Sequence, residues 1–305
     1  PVHQEAGGAD KGDMRVRPQC IPCIYGVRAR EILESDLDDA AKVEALAGLA
    51  RVLSEAATPE ASTVEVAWRC FRYVKGVLGT EDPYAEYKRR SNEVARRFLE
   101  SLASELERLS GYERFRTLLL ASVVANSLDP GVPSYERVEL GGLPRGFEAD
   151  DTRTIDDILR SSQSVVYLLD NAGEAVVDLA VVKEMRSMGV EVVVVTKSAP
   201  YQNDVTVEEA LAIGFGKYAR VLGTGNDYGA VSYPILPDEV KAVIRDADLV
   251  IAKGMANYEA ALYSPPPARV AHLLRAKCEP VASSLGVRVG ALVARIIDWR
   301  ETPAP

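Results

Sequence analysis

The sequence predicts an α/β protein, with a helical first part followed by a mostly parallel sheet, and three observations carry that reading. From Tyr25 to Leu128 the apolar residues recur at helical spacing. After the turn-rich stretch Asp129-Pro130-Gly131-Val132-Pro133 the pattern becomes short β-branched runs alternating with amphipathic segments, which builds a parallel sheet with right-handed crossovers. One of those runs, Val165 to Leu169, passes directly into Asp170-Asn171-Ala172-Gly173-Glu174, an apolar strand ending in clustered oxygen ligands. In open α/β sheets ligands collect at such strand ends, where loops expose polar side chains while the sheet fixes their backbone.

In chain order, residues 1–13 read as a disordered leader or expression remnant, because they lack an apolar signal core and carry Gly7-Gly8-Ala9-Asp10-Lys11-Gly12; Met14 is then the natural start. Ile32, Leu33 and Leu37, then Val43, Leu46, Leu49, Ala50 and Leu53, mark the first helices. Further helices are predicted over 63–78, 84–109 and 112–128. Pro59 fits the first turn of a helix capped by Thr58, and Gly79 and Gly111 punctuate helix ends. Strands are predicted at 165–169, 190–196, 219–222, 249–252 and 271–276, with helices at 174–188, 205–213 and 237–246 between them. The expected organisation is a helical amino-terminal domain over 14–133 and an α/β domain carrying the site over 134–305. Pro265-Pro266-Pro267 forms a stiff extended loop.

Composition removes several function classes. A net charge of −9 without a basic block argues against nucleic acid as a partner. No apolar run approaches the ~20 residues that span a bilayer, so no membrane partner is expected. Four cysteines in 305 residues are not a disulfide scaffold, which favours a cytoplasmic location. Cys20-Ile21-Pro22-Cys23 still has metal or redox spacing; structural thiols, a local disulfide, or a metal site completed by Cys70 with His3 or His272 are the readings it allows, with redox catalysis last because no strand of a thioredoxin-like unit precedes the motif. With only those two histidines, catalysis rests on carboxylates, amides, lysine and metal.

The second predicted strand ends in Thr196-Lys197 and is followed by Asn203-Asp204. If the two strands are parallel neighbours, Asp204 approaches Asp170 and Asn171, giving an oxygen-rich set suited to Mg²⁺ or Mn²⁺. The same residues also serve as ordinary helix caps and turn formers. A third strand end supplies Lys253-Gly254-Met255-Ala256-Asn257-Tyr258-Glu259, where a lysine can meet a phosphate and a glycine lets backbone approach a ligand, or the lysine is simply solvated. Asn126 and Asp129 share a face at the end of the helical part, facing a cleft or forming a turn. Gly223-Thr224-Gly225-Asn226-Asp227-Tyr228-Gly229 fits a dinucleotide loop poorly, since its third glycine is one residue late, and reads as a substrate-side loop or a plain turn. Asp150-Asp151 and Asp156-Asp157 cap and decorate a helix.

Taken together, Asp170-Asn171-Ala172-Gly173-Glu174, Val195-Thr196-Lys197, Asn203-Asp204-Val205-Thr206 and Lys253-Gly254 through Asn257-Tyr258-Glu259 resemble the successive signatures of the damage-control phosphatases, formerly the domain of unknown function 89 family. Ala125-Asn126-Ser127-Leu128-Asp129 is similar to that family's earlier Asn/Asp motif, and Cys20/Cys23 to the cysteine pair of its short prokaryotic branch. The resemblance implies a Rossmann-like three-layer α/β/α core and a divalent metal (Mg²⁺, Mn²⁺, Co²⁺ or Ni²⁺) held by Asp170, Asn171 and Asp204. It also implies hydrolysis of small phosphorylated metabolites, such as sugar phosphates or damaged phosphometabolites, by metal-activated water. In that mechanism Lys253 neutralises the phosphoryl oxygens and Glu174 or Asp129 orients the water. On the same reading Asn126, Lys197, Asn203, Gly254, Asn257 and Glu259 would form the substrate side, with Asn203, Asn257 and Glu259 holding either the substrate itself or the residues that hold the metal. An aspartyl nucleophile is disfavoured, because the second acid it needs two residues after Asp170 is Ala172. An S-adenosylmethionine-dependent carboxyl methyltransferase lacks its glycine-rich loop here, and a non-catalytic metal- or metabolite-binding protein is the third reading.

Overall fold

The computed structural model describes residues 14–126, 143–144 and 146–301. Six helices come first: α1 (Cys20–Leu33), α2 (Asp39–Ala56), α3 (Thr63–Leu78), α4 (Ala85–Ser101), α5 (Ala103–Arg108) and α6 (Gly111–Ala125). Asp38 caps α2 by accepting the Ala41 amide at 2.8 Å, and Gly79 closes α3 in the left-handed region at φ 65°. Three local expectations shift. Pro59 lies in a turn ahead of Ser62, the residue that precedes α3. The helix expected over 84–109 breaks at Leu102, and Gly111 opens α6 with φ 55° instead of closing a helix.

The second half alternates strand and helix: β1 (Ala149–Asp150), α7 (Thr152–Ser161), β2 (Ser164–Leu168), α8 (Glu174–Ser187), β3 (Glu191–Thr196), α9 (Val207–Ile213), β4 (Arg220–Gly223), α10 (Asp238–Asp246), β5 (Leu249–Lys253), α11 (Gly254–Tyr263), β6 (Arg269–Arg275), α12 (Glu279–Leu285) and β7 (Leu292–Asp298). They build one sheet in the order β1-β7-β6-β5-β2-β3-β4. Every pairing is parallel except β6 with β7. From β2 the chain runs outward through β3 and β4, then returns to β5 on the other side of β2. That reversal opens a crevice at the carboxyl ends of β2, β3 and β5.

Burial explains the three layers. Val165 and Tyr167 of β2 point into a cluster with Phe115 and Leu119 of α6 and Val177 and Val181 of α8. Val166 and Leu168 point the other way, against Val240 of α10, Tyr258 of α11 and Val281 of α12. Each such fully buried apolar side chain contributes roughly 1.5–3 kcal/mol. The packing divides the chain differently from the expected boundary near 133. Phe98 of α4, Leu106 of α5 and α6 share the sheet's core, whereas α1 to α3 pack around their own cluster of Ile32, Leu49, Leu53 and Val66. Val64 of α3 rests against Ala260 of α11, so the separate helical cluster overhangs the crevice.

Candidate active site at the carboxyl edge of the sheet

Beyond β2 and β3 the backbones stay zipped. The Leu169 amide meets the Val195 carbonyl at 3.0 Å, the Val205 amide meets the Asp170 carbonyl at 2.9 Å, and the Ala172 amide meets the Asn203 carbonyl at 2.8 Å. An isolated bridge then pairs Asn171 with Asp204. Asp170, Asn171 and Asp204 line one cavity of about 170 Å³, although each is less than 8% exposed. Gly173, at φ 77°, turns the chain into α8, and its amide is held by Asn92 Oδ1 at 2.7 Å.

The Asp170 carboxylate is oriented from two sides. Its Oδ2 accepts from Asn171 Nδ2 at 2.7 Å and Asn126 Nδ2 at 3.2 Å, and the Asn126 nitrogen also reaches Glu174 Oε2 at 2.7 Å. On the third side Gly254, at φ 76°, brings backbone so close that a Cβ there would overlap Asp170 Oδ2. Burial, then the charges of Asp204 and Glu174, push the Asp170 carboxyl well above the usual carboxylate range, against the pull of Lys197 and Lys277.

These residues fit a divalent cation. Two carboxylates and an amide oxygen form a hard donor set, and buried like charges are what a cation relieves. Asn126 Oδ1 and both polar atoms of the Asn203 amide are buried without a hydrogen-bond partner beside this wall. Among the described residues no group of three or more His, Cys, Asp or Glu could hold a metal. The candidate set therefore depends on the Asn171 amide, with water or substrate completing the coordination.

Behind the wall lies a fully buried ionic cluster. Lys253 Nζ donates to Ser122 Oγ at 2.6 Å, to Asp178 Oδ1 at 2.9 Å and to Glu174 Oε1. Asp178 Oδ1 also accepts from Tyr167 at 2.7 Å and from Ser122 at 2.5 Å. Burial alone would lower the Lys253 ammonium, but Asp178 and Glu174 outweigh it and raise it. Burial raises Glu174, with Lys253 opposing. Lys253 is thus enclosed and does not line the cavity, unlike the phosphate-facing lysine expected from the sequence. Glu174, Asn203 and Asn257 are buried behind the wall as well. Asn257 accepts the Val231 amide at 2.8 Å and donates to the Lys253 carbonyl at 2.8 Å and the Leu169 carbonyl at 3.3 Å, tying the strand ends together. Lys197 is buried against Asp204 at 3.2 Å. Asp129 lies outside the described residues.

Glu259 does line the cavity; Lys277, Tyr201 and Gln202, which the sequence reading did not assign to the site, line it as well. Lys277 follows β6, so the strand-end rule that found Asp170 would have found it too. Burial raises the Glu259 carboxyl to about 7. A second cavity of about 450 Å³ adjoins the first and is lined by Arg28, Arg275, Cys20, Cys23 and Cys278. Here the cysteine expectation changes. Cys70 is buried in the core of α1 to α3, and His272 sits apart beside Trp299, whose Nε1 donates to His272 Nε2 at 3.2 Å. The thiol that shares a cavity wall with Cys20 and Cys23 is Cys278, and none of the four cysteines is in a disulfide. No helix among the described residues is long and apolar enough to cross a membrane.

Residues 16–293 match the model of the damage-control phosphatase ARMT1-like domain. The chain is 37% identical over 295 residues to a damage-control phosphatase of Archaeoglobus fulgidus, covering 93% of this chain and all of that one. It is 28% identical to a damage-control phosphatase of Pyrococcus horikoshii, covering 92% of this chain and 97% of that protein. Among solved structures it superposes on a DUF89 family protein of Pyrococcus horikoshii with a TM-score of 0.82, at 27% identity over 92% of this chain and 99% of the other.

Proposed function

The chain belongs to the damage-control phosphatase ARMT1-like family, and from that membership and the geometry of the crevice we propose that it is a metal-dependent phosphatase acting on phosphomonoesters of small metabolites. The observation that carries this reading is the convergence of Asp170, Asn171 and Asp204 on one cavity at the reversal point of the sheet. Asp170, Asn171 and Asp204 would hold the cation. When bound, it supplies charge for a phosphoryl oxygen and acidifies an attacking water.

The chain's own residues do the rest. Lys277 lines both cavities and its charge acts on Asp170, so its ammonium would offset charge on the phosphoryl oxygens. The buried Lys253 fixes Glu174, Glu174 shares the Asn126 amide with Asp170, and the Asp170 carboxylate is thereby held in one orientation. Lys253 acts as a positioning residue in this scheme. The smaller cavity matches a phosphoryl group with its cation, and the larger one a metabolite-sized leaving group. At the position two residues beyond Asp170, the buried Ala172 offers no acid to a phospho-aspartate mechanism. The test is a screen of phosphorylated metabolites with Mg²⁺, Mn²⁺, Co²⁺ and Ni²⁺, beside Asp170→Ala and Asp204→Ala. Hydrolysis abolished by chelation, restored by one of these ions and lost in both variants is expected. Full activity in the variants, or none in the wild type with any ion, would end the reading.

A further inference from the structure

The two cavities meet at a neck formed by Thr63, Ala67, Gln202, Met255, Glu259 and Lys277, the residues that line both. A phosphomonoester whose phosphoryl group lies by Asp170 and whose organic part fills the larger cavity must pass its bridging oxygen through that neck. Three of the lining residues, Met255, Ala256 and Glu259, come from α11, and spacings of four and three put Glu259 beside Met255 and Ala256 on the helix surface. The helix begins at Gly254, pressed against Asp170, and Glu259 lies five residues further, about 7.5 Å along the axis. Glu259 thus sits where the two cavities meet, beyond Asp170 towards the larger one.

Among the residues of the neck, Glu259 is the one carboxyl. We propose that Glu259 is the general acid that protonates the departing oxygen, an inference that rests on the phosphatase reading above. As water oxygen bonds to phosphorus and the ester P–O bond breaks, the bond pair stays on the leaving oxygen and the Glu259 proton joins it to give the alcohol. One water proton remains on the phosphate. The other passes to solvent, and solvent restores the Glu259 proton through the larger cavity. Burial, holding the carboxyl near 7, keeps a protonated fraction available at neutral pH. The charged and titratable groups facing it across the larger cavity are Lys277 and Arg275 beyond and within β6, Cys278 before α12, and Cys20, Cys23 and Arg28 of α1, and across the smaller one Asp170, Asp204 and Tyr201. From α3 the lining residues are Thr63 and Ala67, neither of them charged.

The experiment compares wild type, Glu259→Gln, Glu259→Asp and Lys277→Met on two aryl esters of similar shape, with saturating Mn²⁺. p-Nitrophenyl phosphate releases a phenolate that leaves without a proton, whereas phenyl phosphate releases one of tyrosine-like basicity, pKa about 10. For Glu259→Gln the expected loss in kcat is roughly 10²–10⁴-fold on phenyl phosphate and under about tenfold on p-nitrophenyl phosphate. The alkaline fall of the wild-type phenyl phosphate profile, near pH 7, should vanish in Glu259→Gln, and Glu259→Asp should restore part of the rate. Lys277→Met should slow both esters alike and raise KM. Equal losses on the two esters in Glu259→Gln, or an unchanged pH profile, overturn the general-acid role while leaving the phosphatase standing. A wild type inert on both esters, and on the phosphorylated metabolites with every ion, overturns the phosphatase reading and the general acid with it.

Discussion

Replacing Gly254 by alanine isolates the close approach that shapes the Asp170 wall. At φ 76° an alanine carries a backbone cost of about 1–2 kcal/mol, and its Cβ collides with Asp170 Oδ2. Relief requires the carboxylate to move out of its hydrogen bonds with Asn126 and Asn171, each worth roughly 0.5–1.5 kcal/mol. The sum is about 2–5 kcal/mol. Gly79→Ala is the matched control, because φ 65° imposes a similar backbone strain while open space surrounds its Cβ. It should cost only about 1–2 kcal/mol. Urea unfolding of the metal-free proteins measures both, and calorimetric titration with Mn²⁺ measures the site. Gly254→Ala should weaken Mn²⁺ at least about tenfold, or 1.4 kcal/mol, and Gly79→Ala should leave it unchanged. Equal costs in the two variants, with Mn²⁺ affinity intact in both, would refute the view that backbone contact at Gly254 sets the carboxylate's position.

Two further outcomes concern buried charge. Lys253→Met leaves Glu174 and Asp178 buried without their cation, and should cost about 3–5 kcal/mol at neutral pH by denaturant unfolding. Because burial already raises Glu174 and the loss of Lys253 raises it further, the folded variant holds protons that the unfolded chain releases; its stability should recover as pH falls and worsen as pH rises. A variant equally destabilised from pH 5 to pH 8 would contradict this. His272 is held by burial down to about 3 from 6.5, so between those values the unfolded chain takes a proton that the folded one refuses. Wild-type stability should therefore drop by about 2 kcal/mol between pH 7 and pH 5 from this residue, at about 1.4 kcal/mol per unit, and His272→Gln should remove that slope.

The central strands were legible because buried parallel strands read as unbroken β-branched runs: the expected 165–169 and 249–252 became Ser164–Leu168 and Leu249–Lys253. β7 was not, since Arg295 interrupts Leu292–Asp298, and β1 is only two residues long. The grouping of Asp170, Asn171 and Asp204 followed from treating β2 and β3 as parallel neighbours, as they are. The depth of Lys253 was missed although period-two alternation contains it. Leu249 and Ile251 face α6 and α8, so Lys253 faces them too and meets Glu174 and Asp178 instead of the cavity. The larger cavity was beyond reach, because Cys20, Arg28 and Cys278 converge only through packing between distant elements.

That convergence separates two tasks in the molecule. Asp170, Asn171 and Asp204 are anchored in strand ends of the sheet's core, whereas Cys20, Cys23, Arg28, Thr63 and Ala67 come from helices with their own hydrophobic cluster. Substitutions on α1, whose Cys20, Cys23 and Val27 line the larger cavity alone, can resize the chamber for the organic half of a ligand without touching the cavity that holds the carboxylates. Libraries confined to that helix face therefore offer a direct route to altered selectivity at constant chemistry.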